Sequence, residues 1–539
     1  MKSEFLAELP SSLAVKDFGS PRGHGIVAET NLPAGRKVLS KHPTVMVPNS
    51  DARNTTCARC LQTVSASGPG IAPATVESVF PCEDCGVTFY CSKSCEIIDR
   101  KRFHQEECQI LQKLTPRIPP TLVVLVMRLL ILEGTHADDL FGLKSPLLSH
   151  LDKKFETEEY ASIALMAKGA KEFSGTKLPL EGVIEIVGKT IINAVTVVNP
   201  LFDSVGLMID GLIAMFNHSC NPNAFFIFEK GKITVRTGRK IAQGEEICVS
   251  YIDNTLALPN RLKTLSQRYF FICSCESCLP PTGLDTPDYR NDFVCAKCGS
   301  ALHPYRSQDV LSPGFYNNYK SCPNCGIVFG NQPRTIEAID NRISALKLHD
   351  SSPIMTTADA DKLLAKLALV RDLKVVPLHR SPFTTSIQRL LTFHVSQESL
   401  AIALKLIGIE YFYQDPVLWP ALEMQAVRLA HMARFSIVLL LVMLDPTSPQ
   451  SQELASDLPT IDLGVCLWGL LDVMDRLIPR VYGENSQFQA YLKEQKSRFL
   501  SFIGDDYQGR FTSQTLEQLR WNAEMDKIRK FSITWWENL

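Results

Sequence analysis

The chain has 539 residues, 45% of them hydrophobic, and its 56 Lys and Arg almost cancel 57 Asp and Glu to leave a formal net charge of -1. A near-neutral molecule carries no overall field that draws it onto nucleic acid or anionic lipid, so direct DNA binding is disfavoured and any such contact has to be local. At roughly 150 residues per domain, the length leads us to expect three or four domains.

The opening "MKSEFLAELP" has no apolar stretch of signal-peptide length. The longest apolar run, "FSIVLLLVML" at Phe435 to Leu444, is half of the ~20 residues that span a bilayer, so a soluble, intracellular chain with no membrane partner is expected. In such a compartment 17 cysteines point to metal or reactive thiols, because reducing conditions do not sustain structural disulfides.

Along the chain, the first cysteine group runs "CARC" (Cys57, Cys60), "CEDC" (Cys82, Cys85), "CSKSC" (Cys91, Cys95) and "HQEEC" (His104, Cys108). Thiolates and one imidazole in two sets of four suit closed tetrahedral zinc sites, which stabilise a fold and activate no water. The order of pairs resembles the MYND zinc finger, whose sites interleave. That resemblance implies one ion on Cys57, Cys60, Cys91 and Cys95 and another on Cys82, Cys85, His104 and Cys108. The i, i+4 spacings are expected to put Cys91 with Cys95, and His104 with Cys108, on one helix face each. The 21 residues between the first two pairs, "LQTVSASGPGIAPATVESVFP", read as a surface loop. "DRKRFH" at Asp99 to His104 reads either as a basic strip for a partner or as a solvated helix face.

"TLVVLVMRLLILEG", interrupted by Arg128, and "EEYASIALMAKGAKEF" have helical apolar spacing, and "GLMIDGLIAMF" is expected to continue as a buried helix. It is followed at once by "NHSCNPN", Asn217 to Asn223, an unusual density of amide, imidazole and thiol. The alternation in "NAFFIFEKGKITVRTGRKIAQGEEICVSYID" reads as short antiparallel strands. "CSCESC" offers Cys273, Cys275 and Cys278, three ligands that need a fourth, and Cys220 is the candidate. Cys295, Cys298, Cys322 and Cys325, two pairs separated by 23 residues, are close to zinc-ribbon spacing. Cys248 and Cys466 sit in apolar surroundings and read as small packed side chains. From Thr335 onward, stretches such as "SLAIALKLIGIEYFY" and "GVCLWGLLDVMDRLI" predict an all-helical domain.

"NHSCNPN", "GEEICVSY" and "CSCESC", with the MYND pattern upstream and "SPRGHGIVAETNLPAGRKVL" near the N-terminus, together resemble the SET and MYND domain family of protein lysine methyltransferases. The resemblance implies an α+β chain: a SET-type β-fold with an inserted MYND zinc finger, a post-SET zinc site, an extra zinc ribbon and an all-helical C-terminal domain. The expected boundaries are 1–52 for the N-terminal part of SET, 53–112 for the finger, 113–192 for the helical insert and 193–254 for the SET core. The post-SET site then takes 255–282, the ribbon 290–330 and the helical domain 335–539.

By the same resemblance, S-adenosylmethionine is the cofactor, with three zinc ions and a fourth in the ribbon. Arg22, Gly23 and His24 would meet its methionine end, and Asn193 its ammonium and carboxylate region. Asn217 and His218 would hold it through backbone and side-chain hydrogen bonds. Tyr251 would be the active-site tyrosine, with Tyr269 and Phe271 walling the lysine channel and Phe271 touching the cofactor. A lysine with pKa ~10.4 is neutral in about one part in a thousand at pH 7, a penalty of ~4 kcal/mol that a dry channel reduces by desolvating the ammonium. The family often has Phe where Val195 stands, and a small polar residue where Ala214 stands.

The expected activity is methyl transfer to a lysine of a histone or other protein, by a monomer in nucleus and cytoplasm. A proline-rich peptide at the finger is a further expected partner. The alternative is a protein-interaction scaffold or transcription regulator whose SET portion is weak or inactive.

Overall fold

The computed structural model describes residues 8–19, 22–64, 76–135, 147–153, 158–278, 293–302, 321–328, 356–380, 382–414, 422–444, 461–504, 508–511 and 514–539, with residue 290 and a few positions between 342 and 354. The chain forms two compact units. One comprises Met1–Ser67, Ala72–Tyr251 and Gln267–Phe271, and the other is chiefly Ile252–Ser266 and Ile272–Leu539. Most of the loop between the first two cysteine pairs lies outside the described residues.

The first unit is assembled from short antiparallel strands. β1 (Leu13–Asp17) pairs with β2 (His24–Ala28), which sets Asp17 opposite His24. β3 (Lys37–Lys41) lies beside β10 (Lys232–Thr237), which in turn pairs with β9 (Ala224–Glu229). The expected hairpin at "EKGK" is therefore present. β4 (Val45–Pro48) is buried throughout and pairs with β8 (Ser204–Ile209), whose other edge takes β7 (Val195–Val198). Ile26, Met208, Phe216, Ile233 and Val249 fill the core between these strands.

The buried helix expected over "GLMIDGLIAMF" does not form. Gly206 to Ile209 belong to β8, and Asp210 then ends the strand by accepting the amides of Leu212 and Ile213, both at 3.1 Å, ahead of a 3-10 turn at Ile213–Met215. Periodicity cannot separate a buried strand from a buried helix over so few apolar residues. Here the free edge of the all-apolar β4 and the Asp210 cap decide for the strand.

The finger consists of β5 (Phe80–Pro81) paired with β6 (Phe89–Tyr90), then α1 (Lys93–Asp99), a π-helical turn at Arg100–His104 and α2 (Gln105–Leu114). Ser92 caps α1 by accepting the Cys95 amide at 3.2 Å. Cys91 therefore precedes the helix, correcting the expectation that Cys91 and Cys95 share a helical face. Three helices, α3 (Thr121–Thr135), α4 (Glu158–Ser174) and α5 (Leu180–Asn193), form a second core with β4.

Arg128 breaks the apolar pattern of α3 because it is the buried counter-charge of the finger. Its guanidinium donates to Glu107 at 2.7 and 2.9 Å, to Asp99 at 3.1 and 3.2 Å and to the Met46 carbonyl on β4 at 3.0 Å. Tyr90 adds a hydrogen bond to Asp99 at 3.0 Å. Two carboxylates from the finger thus meet one cation from the helical insert, all out of water.

Helix α6 is Leu258–Tyr269, and Arg261 on it, in the second unit, donates to the carbonyls of Leu256 at 2.6 Å and Ser277 at 3.2 Å. β11 (Phe293–Val294) pairs with β12 (Ala301–Leu302). The rest is helical: α7 (Thr357–Arg371), α8 (Phe383–Ser396), α9 (Leu400–Ile409), α10 (Leu422–Leu444), α11 (Leu463–Val481), α12 (Gln487–Ile503) and α13 (Trp521–Asn538). Within α10, Gln425–Leu444 is long and apolar enough to cross a membrane, twice the run noticed in the sequence, and 72% of its apolar window is buried inside the unit. Arg434 on this helix pairs with Glu410 at 2.9 Å in the same interior.

Candidate functional site

The three cysteine sets that lie inside a single unit have the geometry of metal sites. In each, the four donor atoms lie within 4.8 Å of one another. In the finger, Cys60 Sγ is 3.6 Å from Cys91 Sγ, and Cys91 Sγ is 3.6 Å from Cys95 Sγ. In the second set, Cys82 and Cys108 sulfurs are 3.8 Å apart, and Cys85 Sγ is 3.6 Å from His104 Nε2. A tetrahedron with ~2.3 Å zinc–sulfur bonds has an edge of about 3.8 Å, whereas a disulfide needs ~2.05 Å. The donor sets therefore suit zinc and are grouped as the interleaved pattern implies. The carboxylate of Glu107 lies 3.6 Å from Nδ1 of His104, where it favours the tautomer that frees Nε2 for a metal. Of the fourth expected set, Cys220 belongs to the first unit and Cys273, Cys275 and Cys278 to the second.

The charge run "DRKRFH", open to reading as a basic strip or as a solvated helix face, is largely consumed within the fold. Arg100 pairs with Asp84 and Glu96, Arg102 donates to the Thr44 carbonyl at 2.8 Å, and Phe103 and His104 are buried.

The polar density of "NHSCNPN" has a structural answer. The segment runs alongside residues 245–249: Ser219 donates to the Val249 carbonyl and Val249 to the Asn217 carbonyl, each at 2.9 Å. Asn223 clamps the far end, donating to Glu245 Oε1 at 2.9 Å and to the Glu246 carbonyl at 2.8 Å, while accepting the Cys248 amide at 2.8 Å. Asn217 clamps the near end through Glu246 Oε1 at 2.8 Å and the His24 carbonyl at 3.2 Å.

Glu246 is the hub here, and sequence reading did not single it out. Its second oxygen pairs with Arg22, whose guanidinium lies 4.8 Å from the centre of the Phe18 ring. Gly25 is required at this junction, since a Cβ would come within 2.6 Å of both Asn217 and Glu246. Gly23 is required for its conformation, φ +65°. The signal for Glu246 lay in "GEEICVSY", read only as a family mark.

His218 is turned inward. Its Nδ1 accepts the Tyr251 amide at 3.0 Å, so the neutral ring carries its proton on Nε2, which lies 3.2 Å from Cys220 Sγ and donates to it. Both ring nitrogens are engaged within the fold. The backbone N–H and C=O of His218, which point away from Val249, have no partner among the described residues.

Tyr251 lies beside this imidazole, ring centres 5.3 Å apart, and beside Tyr269 at 5.1 Å. Phe271 stands 5.9 Å from His218. The Tyr251 hydroxyl donates to the Phe216 carbonyl at 2.8 Å, and its own carbonyl accepts from Tyr269 at 3.3 Å. Burial, with Tyr269 and the negative groups of Cys248 and Glu246 nearby, pushes the Tyr251 phenol well above its ordinary range. Burial also raises Tyr269. Three of the residues expected to form the lysine channel are thus brought together as neutral aromatic groups around an internal histidine.

The Asn193 amide donates to the carbonyls of Lys189 at 2.8 Å and Leu148 at 3.2 Å, fastening the end of α5.

Residues 23–252 match the family described as SET domain. The chain is 28% identical over 276 residues to the SET domain and MYND-type zinc finger protein 6 of Schizosaccharomyces pombe, covering 50% of this chain and 52% of that protein. It is 24% identical over 439 residues to the histone-lysine N-methyltransferase ASHR1 of Arabidopsis thaliana, 74% of this chain and 85% of that one. It is 27% identical over 278 residues to the human histone-lysine N-methyltransferase SMYD3, 49% and 61%. The matches thus span about half to three-fifths of the first and third of these proteins. Among solved structures, the SET domain of LSMT bound to lysine and AdoHcy covers 92% of this chain and 88% of its own at 10% identity, with a TM-score of 0.29.

Proposed function

We propose that the chain, whose residues 23–252 match the SET domain, is a member of the SET and MYND domain family and transfers a methyl group from S-adenosylmethionine to the side-chain amine of a protein lysine. The observation that carries this reading is the Tyr251 phenol, held neutral and hydrogen-bonded to the Phe216 carbonyl among the rings of His218 and Tyr269.

The donor groups present fit such a cofactor. The backbone N–H and C=O of His218 offer one donor and one acceptor side by side, suited to an adenine edge. Arg22 retains donors beyond its pairing with Glu246, and Asn217 Oδ1 has no donor partner among the described residues. These suit a carboxylate and an ammonium respectively. When bound, S-adenosylmethionine supplies a methyl group made electrophilic by a positive sulfur.

The protein's own residues then have to position, desolvate and hold dipoles, the main sources of rate in a direct displacement. Tyr269 and Phe271 exclude water, which lowers the pKa of an entering lysine. The Tyr251 oxygen, whose O–H donates to the Phe216 carbonyl, keeps lone pairs for an amine N–H and for the positive charge that passes from sulfur to nitrogen. The hydrogen bond from Tyr251 N–H to His218 holds that oxygen in place.

Isothermal calorimetry with S-adenosylmethionine, followed by transfer of a radiolabelled methyl group to histones and cell extract, tests the proposal. Micromolar binding and label on lysine are expected. Absence of both heat and label would leave the scaffold reading, which the internal pairing of Arg100 and Arg102 does not favour.

A further inference from the structure

The ribbon segment repeats, in miniature, the backbone of the finger. In the finger, Leu61 N–H donates to the Cys57 carbonyl at 2.9 Å and Cys57 N–H to Gln62 at 2.9 Å. The next turn has Gly86 to Cys82 at 2.9 Å and Cys82 to Thr88 at 2.7 Å. The ribbon has Gly299 to Cys295 at 2.8 Å and Cys295 to Ser300 at 2.9 Å, then Gly326 to Cys322 at 3.0 Å and Cys322 to Ile327 at 2.9 Å. Leu61, Gly86, Gly299 and Gly326 all have φ between 53 and 69°. Such a turn aims two sulfurs of a C-x-x-C pair at one point, and two turns facing each other make a tetrahedral pocket.

The four ribbon sulfurs meet that description. Cys295 and Cys325 are 3.8 Å apart, and Cys298 and Cys322 are 3.7 Å apart. Cys298 is exposed, and Ser300 Oγ lies 3.1 Å from its sulfur with Asn324 Nδ2 at 3.7 Å, where both can donate to a thiolate.

The same segment is tied into the helical domain immediately before its first ligand. Val294 N–H donates to the Val375 carbonyl at 2.8 Å, and the fully buried Phe293 ring lies 3.8 Å from the Arg380 guanidinium carbon. Cys295 is the next residue.

We infer that Cys295, Cys298, Cys322 and Cys325 bind a zinc ion of their own, and that this ion acts as a clasp which keeps β11 fastened to the helical domain through Phe293 and Val294. The site has four protein ligands and no open position, so its work is structural, separate from methyl transfer.

The test uses the full-length protein. Metal analysis of Cys298→Ser/Cys325→Ser is expected to give one zinc per chain fewer than wild type. Iodoacetamide with peptide mass spectrometry probes the wild type directly: Cys298, although exposed, is expected to resist alkylation until a chelator is added. Hydrogen exchange at the Val294 amide should then accelerate at least tenfold. Prompt alkylation of Cys298 in untreated protein, or an unchanged zinc content in the variant, would overturn the inference. The wild-type labelling decides the matter if the variant does not fold.

Discussion

Tyr251 shows how a single hydroxyl takes its role from its neighbours. Its hydroxyl donates to the Phe216 carbonyl and its amide to His218, and its ring lies beside Tyr269. Because burial holds its pKa above the ordinary tyrosine value of 10.0, the folded protein retains this proton where the unfolded chain has begun to lose it. The associated stability is therefore complete below pH ~10 and falls as pH rises beyond that point. For the proposed methyl transfer, Tyr251→Phe removes the oxygen while keeping the ring, so kcat is expected to fall about 10²-fold with methyl-donor affinity changed less than threefold, as read by single-turnover kinetics and calorimetry. The difference in phenolate absorbance at 295 nm between wild type and this variant should stay flat up to pH 10. Sequence resemblance pointed to Tyr251, Tyr269 and Phe271, but it could not supply the Phe216 carbonyl, a backbone atom 35 residues away.

The inserted finger meets its host through a buried ion network centred on Arg128. Arg128 on α3 pairs with both Asp99 and Glu107, and Glu107 also faces His104 in the second cysteine set. Attraction to Arg128, opposing the cost of burial, helps hold the Glu107 carboxylate low, at about 2. Removing the cation alone leaves two buried carboxylates uncompensated, a loss of about 3–5 kcal/mol. Arg128→Met is expected to lower the urea midpoint accordingly and to speed zinc loss to a chelator. The triple variant Arg128→Met/Asp99→Asn/Glu107→Gln should recover part of the stability, and no difference between the two would remove the ion network from the explanation. In the sequence, Arg128 was visible only as an interruption. Its partners lie 21 and 29 residues away on two other helices.

Across the molecule, each unit keeps its own interior charges. In the helical domain His431 is buried beside Glu410, 3.7 Å away, with Arg434 on the same carboxylate. Burial lowers its pKa from 6.5 to about 4, Arg434 adding to the effect and Glu410 opposing it. The unfolded chain therefore binds a proton below pH 6.5 that the folded protein refuses until about pH 4. Stability is full above that window and declines through it, by up to about 3 kcal/mol. Denaturation curves for wild type between pH 7 and 4 should show this decline, and His431→Gln should flatten it. An unaltered slope in that variant would assign the pH dependence to other groups.

Ligand spacing was legible from the chain alone because it is local: a C-x-x-C turn brings two sulfurs together by covalent geometry, and an alternating strand declares its buried face. The cysteine sets inside each unit and the β9–β10 hairpin were accordingly readable in advance. Folding in three dimensions settled matters that depend on remote partners. Asp210 and β4 turned an apolar run into a strand, Ser92 set Cys91 outside its helix, and Tyr251 and Cys220 drew both nitrogens of His218 inward. Glu246 became a hub only when Arg22, 224 residues earlier, arrived beside it. Hydrogen-bond capacity is written in residue identity, but which groups satisfy it is decided by whichever donors and acceptors packing excludes from water together.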